Sequence, residues 1–164
     1  MATLKIRKYP EPVLRKRAVE VKALTDADRK LIDDMIETMK TSDGVGLAAN
    51  QVGILKRIIT YNPSADGWRA DALINPCIVK RRGSETKEEG CLSLPGINGL
   101  VRRSLSVVVE GIDIKGKPVC YEATGLLARV FQHEIDHLDG ILFIDRLNPL
   151  KRMMAKRNLK KESK

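Results

Sequence analysis

The sequence predicts an α+β fold, with short, mostly antiparallel strands packed around one central buried helix that carries His133-Glu134-Ile135-Asp136-His137. Three observations lead there. Leu126, Leu127, Val130, Phe131, Ile135 and Leu138 recur at helical spacing over so much of the circumference that a helix from about Thr124 must be mostly buried. The runs Arg57 to Tyr61, Ala72 to Lys80, Val107 to Val109 and Val119 to Tyr121 are rich in Val, Ile and Leu, too short for helices, and separated by Gly, Pro and Asn turns. No repeat and no linker divides the 164 residues, a length that suits a single core. Residues 1–150 are therefore read as one domain and 151–164 as a basic tail or helix.

Taken in order, the opening to about Ala23 mixes charges with isolated Ile, Leu and Val and two prolines, which reads as an extended arm wrapped on the core. Thr25 and Asp28 resemble a capping box, and Leu31, Ile32, Met35, Ile36 and Met39 then mark a helix from about Asp26 to Lys40. In Asp43 to Gly53 the glycines at 44, 46 and 53 permit close approach of backbone to a ligand. This stretch lacks the Lys-Ser/Thr of a Walker loop and the third glycine of a dinucleotide fingerprint. Gln51 is its one side chain able both to donate and to accept. Asn62 to Gly67 reads as a turn between strands, Trp68 as a surface residue and Gly83 to Glu88 as a charged loop. Cys91, set between Gly90 and the strand-like Leu92-Ser93-Leu94, should be open to a ligand, whereas strand alternation makes Cys77 and Cys120 core thiols. On the histidine helix Arg129, Gln132, Asp136 and Asp139 take the arc opposite the apolar side, and Gly140 suits its end. Ile141 to Ile144 is a short apolar segment. In the tail Leu150, Met153, Met154 and Leu159 stand among the bases.

Charge is unevenly placed. Of the net +9, the stretch 151–164 carries +6, so a polyanion contact should centre on the tail. No apolar run approaches the roughly 20 residues that cross a bilayer. The start shows no signal peptide, which makes the cytoplasm the default and calls for neither membrane nor DNA. Three cysteines without C-x-x-C spacing argue against a disulfide framework.

The two histidines of the chain stand four apart, so a helix aims both imidazoles at one point, with Glu134 beside them. H-E-x-x-H in this form is a metal-hydrolase pattern. A catalytic site needs a third protein ligand and an open position. Downstream there is no further histidine and only Asp139, Asp145 and Glu162, so an endopeptidase reading is weakened, and an upstream thiolate, Cys91, is the better third ligand. A basic RNA-binding domain with a structural metal is the reading from another class, disfavoured because three good ligands are one short of a closed site.

Three stretches together, Gly44-Val45-Gly46-Leu47-Ala48-Ala49-Asn50-Gln51, Glu89-Gly90-Cys91-Leu92-Ser93 and His133-Glu134-Ile135-Asp136-His137, resemble the bacterial peptide deformylases in order and spacing. The resemblance implies removal of the formyl group from the N-terminal formylmethionine of new polypeptides, with release of formate. It implies Cys91, His133 and His137 as metal ligands, Fe2+ as the native metal with Zn2+, Ni2+ or Co2+ able to substitute, and water activated by that metal. Glu134 would be the general acid and base, while the Gln51 amide and the Leu92 backbone N–H would stabilise the oxyanion. Gly46 would pair with the substrate backbone, and Leu126 and Val130 would form the pocket for the methionine side chain. Some bacterial members carry an arginine shortly after the cysteine motif, where this chain has Ile97-Asn98-Gly99. Some also dock on the ribosome through a basic C-terminal helix, which implies the same use for 151–164.

Overall fold

The computed structural model describes residues 2–64 and 67–162. The first helix, α1 (Asp26–Thr41), opens with a reciprocal cap. The Asp28 amide donates to Thr25 Oγ1 at 3.2 Å, and the Thr25 amide donates to Asp28 Oδ2 at 3.0 Å. Seven strands follow among the described residues: β1 (Gly46–Ala48), β2 (Ile58–Tyr61), β3 (Asp71–Arg82), β4 (Glu85–Cys91), β5 (Leu94–Arg103), β6 (Ser106–Ile112) and β7 (Pro118–Thr124). The chain ends in α2 (Gly125–Leu138), a one-turn helix Phe143–Arg146 and α3 (Pro149–Glu162).

Five strands make one antiparallel sheet in the order β1-β2-β3-β6-β7, and β4 and β5 make a separate two-stranded hairpin. Helix α2 lies against the large sheet, where Ala128, Phe131 and Leu138 have no exposed surface and pack with Ala48, Ile59, Tyr61, Leu73 and Val109. Tyr61 and Phe131 meet edge to face with ring centres 4.8 Å apart, the arrangement that ring quadrupoles favour. Gly140 ends the helix at φ 75°, and a Cβ there would lie 2.8 Å from the Arg15 carbonyl carbon, so conformation and close packing both call for glycine. The expectation of antiparallel strands about one buried helix therefore holds.

The arm is tied down by backbone hydrogen bonds at the places that matter for the site. The Arg7 amide donates to the Gln51 carbonyl at 2.7 Å and the Tyr9 amide to the Ser93 carbonyl at 2.9 Å, joining the glycine-rich segment to the cysteine turn. A second apolar cluster holds the hairpin in place, with Leu94, Ile97 and Val101 packed on Leu142, Phe143 and Leu147 and on Ala155 and Leu159 of α3.

Several local expectations are corrected. The stretch Gly83 to Glu88 is not a charged loop throughout, since Glu85 begins β4, and β5 runs through Pro95, Gly96 and Gly99. Pairing with a partner strand overrides weak local propensity there. Cys77 and Cys120 are exposed rather than core thiols: β7 alternates with Val119, Tyr121 and Ala123 on the core side and Cys120 outside, and on β3 the register shifts between Ile74 and Cys77, which leaves Ile78 rather than Cys77 against the core. Arg129, Gln132 and Asp136 are 7%, 3% and 7% exposed, so the polar arc of α2 is buried as well. What makes this tolerable is pairing, as the site shows.

Candidate metal centre and catalytic cleft

Helix α2 carries His133 and His137 one turn apart, and the β4–β5 hairpin brings Cys91 to them. Cys91 Sγ lies 3.2 Å from His137 Nε2, which lies 3.2 Å from His133 Nε2, and the three donor atoms all fall within 4.8 Å of one another. His133 Nδ1 donates to Glu89 Oε2 at 2.9 Å, which fixes the ring with Nε2 turned toward the other two donors. Burial pushes His137 well below its usual pKa, reinforced by the neighbouring His133, and so keeps it neutral as a ligand must be. One thiol and two imidazoles on an open cleft form the donor set of a catalytic transition-metal site. Asp139 and Asp145, the downstream acids of the endopeptidase alternative, are turned away to Arg57 at 2.7 Å and to Arg15 respectively.

Behind the histidines lies a network of buried charges. Arg103 grips Glu89 at 2.8 and 3.0 Å, Arg129 adds a contact of 2.6 Å, and Asp136 takes Arg103 on one side and Arg146 at 2.6 Å on the other. Burial alone would raise the Glu89 carboxyl, but the hydrogen bonds from His133 and Arg103 hold it far below the ordinary carboxylate range. A charge this deep needs such partners, since an unpaired one costs several kcal/mol. Sequence reading missed the parts played by Glu89, Arg103, Arg129 and Asp136. The one available signal was an acid and a base flanking His133 on a helix too apolar to leave them in water.

Glu134 differs from the other acids. It is 4% exposed, its Oε2 has no hydrogen-bond partner, and burial lifts its pKa to about 7, with His133 opposing and the charge of Glu89 adding. It opens on a cleft of about 400 Å3 that also reaches Gln51, Cys91, Leu92 and Gly46. Val130 and Leu126 line the same cleft, Val130 4% exposed in its wall and Leu126 55% exposed at its mouth. Gln51 is buried, with Oε1 accepting from the Ala48 amide at 2.8 Å. Its Nε2 is thereby turned to the site, 3.2 Å from Ser93 Oγ and 3.6 Å from Cys91 Sγ. All nine residues singled out in the sequence thus converge on one place.

Comparison with known proteins gives the same direction. The family model for polypeptide deformylase matches residues 3–153. The chain belongs to the polypeptide deformylase family. It is 50% identical to the peptide deformylase of Thermodesulfovibrio yellowstonii over 98% of both chains. Among solved structures it resembles a peptide deformylase from Legionella pneumophila, with TM-score 0.93, 44% identity and coverage of 99% of this chain and 96% of that one. It resembles equally the peptide deformylase from Ehrlichia chaffeensis in complex with actinonin, with TM-score 0.94, 38% identity and coverage of 99% and 98%. The chain is a metal-dependent hydrolase that removes the formyl group of nascent peptides. No helix among the described residues is long and apolar enough to cross a membrane.

Proposed function

We propose that the cleft takes the N-formylmethionine end of a new polypeptide in the cytoplasm, with Cys91, His133 and His137 holding Fe2+, which Zn2+, Ni2+ or Co2+ can replace. The observation that carries this reading is the buried Glu134 carboxyl, with its Oε2 unpartnered, beside three convergent soft and borderline donors. A divalent cation on one thiolate and two imidazoles supplies Lewis acidity, making hydroxide available near neutrality and polarising a carbonyl.

The remaining steps belong to the protein. Glu134 takes the proton of the attacking water and passes it to the departing amine nitrogen; a pKa of about 7 suits a group that must both accept and give. As the formyl carbon becomes tetrahedral, the Gln51 amide and the Leu92 backbone N–H donate to its oxygen, each such donor being worth about 2.7–4 kcal/mol in the barrier. Val130, Leu126, Val45 and Leu92 offer an apolar surface for the methionine side chain. The substrate backbone runs beside Gly46, because β1 is an edge strand of the large sheet and β4 borders the cleft from the hairpin. Two strand edges facing one groove suit an extended peptide.

The basic tail docks this activity on the ribosome, where the substrate emerges. Support comes from α3, whose Ala155 and Leu159 are buried while Lys151, Arg157 and Lys160 stand exposed.

The test is formate release from formyl-Met-Ala-Ser against internal cleavage of an unformylated peptide. Glu134→Ala should keep its metal and lose turnover by roughly 10²-fold or more; turnover within tenfold of the parent would refute the role given to Glu134. For the tail, Lys151→Glu with Lys156→Glu and Arg157→Glu spares the buried side of α3. Undiminished co-sedimentation of that variant with ribosomes at low salt would dismiss docking by the tail.

A further inference from the structure

Sharing no lining residue with the cleft, the ends of β3 and β5 and the middle of α2 enclose a polar pocket of about 370 Å3 lined by Arg81, Arg102, Arg103 and Arg146, together with Ser84 and Gln132. No carboxylate lines it. Arg103 and Arg146 are balanced from below, Arg103 by Glu89 and Asp136, and Arg146 by Asp136 alone at 2.6 Å. Arg81 and Arg102 are not. Among the described residues the partners of these two are neutral: Arg81 Nη1 donates to Gln132 Oε1 at 3.2 Å, and Arg102 Nε and Nη2 both donate to Ser84 Oγ at 3.1 and 2.9 Å.

The floor is built rather than accidental. Gln132 is 3% exposed and uses its whole amide: Oε1 accepts from Arg81 and from the Ser104 amide at 2.9 Å, and Nε2 donates to the carbonyls of Ser104 and Ala128 at 3.0 and 2.9 Å. Arg103 is 4% exposed and anchored at all three nitrogens. One buried guanidinium below, Arg103, and three exposed ones around it, of which Arg146 is held by Asp136 while Arg81 and Arg102 have neutral partners, form a concave positive site on a fixed floor. Guanidinium forks match the oxygens of a phosphate group, and a polar lining excludes apolar ligands.

We propose that this pocket binds a phosphate group, either free inorganic phosphate or the phosphodiester backbone of RNA. It is distinct from the tail, whose Arg152, Lys156, Arg157 and Lys160 line another groove. Two probes tell the sources apart, inorganic phosphate and a short single-stranded RNA, each titrated into the full-length, metal-loaded protein while arginine Nε–H resonances are followed by NMR.

Phosphate should shift the Arg81 and Arg102 signals in a saturable way, and Arg81→Gln with Arg102→Gln should weaken its binding roughly tenfold or more, the loss that removing charge-assisted hydrogen bonds brings. Both sites are exposed, so the variant should keep its circular dichroism and thermal midpoint. If RNA moves the same signals and displaces phosphate, the phosphodiester is the source; if only phosphate does, the free ion is. Shifts confined to tail residues, or equal phosphate affinity in the folded double variant, would overturn the proposal. Should the double variant misfold, Arg102→Lys serves instead. It keeps the charge but loses the fork, and unchanged affinity there would equally count against a guanidinium-built site.

Discussion

Gly46→Ala is the sharpest perturbation of this site, because it adds one carbon and no charge. A Cβ at Gly46 would fall 2.9 Å from both Cδ and Cγ of Glu134 and closer still to Oε1. Carbon atoms rest about 3.5–4.0 Å apart, so the carboxyl must retreat by roughly 1 Å. The backbone of β1 takes no left-handed angle at this residue, so alanine costs nothing there, and the expected damage is confined to where Glu134 points. A misplacement of about 1 Å in a reacting group can lower rate roughly 10²-fold, and full loss of the acid and base would remove roughly 10²–10⁴-fold. That range corresponds to about 2.7–5.5 kcal/mol in the barrier. The assay is formate release from formyl-Met-Ala-Ser, with metal content by mass spectrometry alongside. Metal should be retained while kcat falls at least about 10²-fold. Since both changes act through one carboxyl, Gly46→Ala should cost little more in a Glu134→Ala background than Glu134→Ala alone. A kcat within about threefold of the parent, or losses that add, would refute the argument that the missing side chain at 46 makes room for Glu134.

Glu89→Gln removes the charge that orients His133 and balances Arg103 and Arg129, so metal affinity should fall roughly 10–100-fold; chelator competition reading an unchanged affinity would count against the network. Cys91→Ala should abolish metal binding while Cys77→Ala and Cys120→Ala, both on the exposed face, leave stoichiometry intact by mass spectrometry. The cap of α1 should show in the acid limb of stability. Burial would raise the Asp28 carboxyl, but Lys56 and Thr25 hold it at about 2 against an ordinary 3.8. A lowered folded pKa gives stability that is complete above the ordinary value and lost as pH falls through about 2. Lys56→Met should therefore raise the NMR titration midpoint of Asp28 and move acid unfolding to higher pH, and an unmoved Asp28 midpoint would show that Lys56 does not set it.

Much of the chemistry is legible in the chain because it is local. Two histidines at helical spacing with Glu134 between them define their own geometry once α2 forms, and the cap at Thr25 and the stop at Gly140 rest on contacts a few residues long. The period of the strands is local as well. Their facing is not. Which side of β3 and β7 meets the core is decided by α2 lying across the sheet, and so Cys77 and Cys120 end outside. In the hairpin, β4 has few core-facing residues of its own and exists through pairing with β5, whose Leu94, Ile97 and Val101 pack on Leu142 to Leu147 and α3. Glu89, Arg103, Arg129 and Asp136 read one by one as solvent-loving; only the packing that strips them of water together makes each the condition for burying the others, and that mutual dependence spans 47 positions.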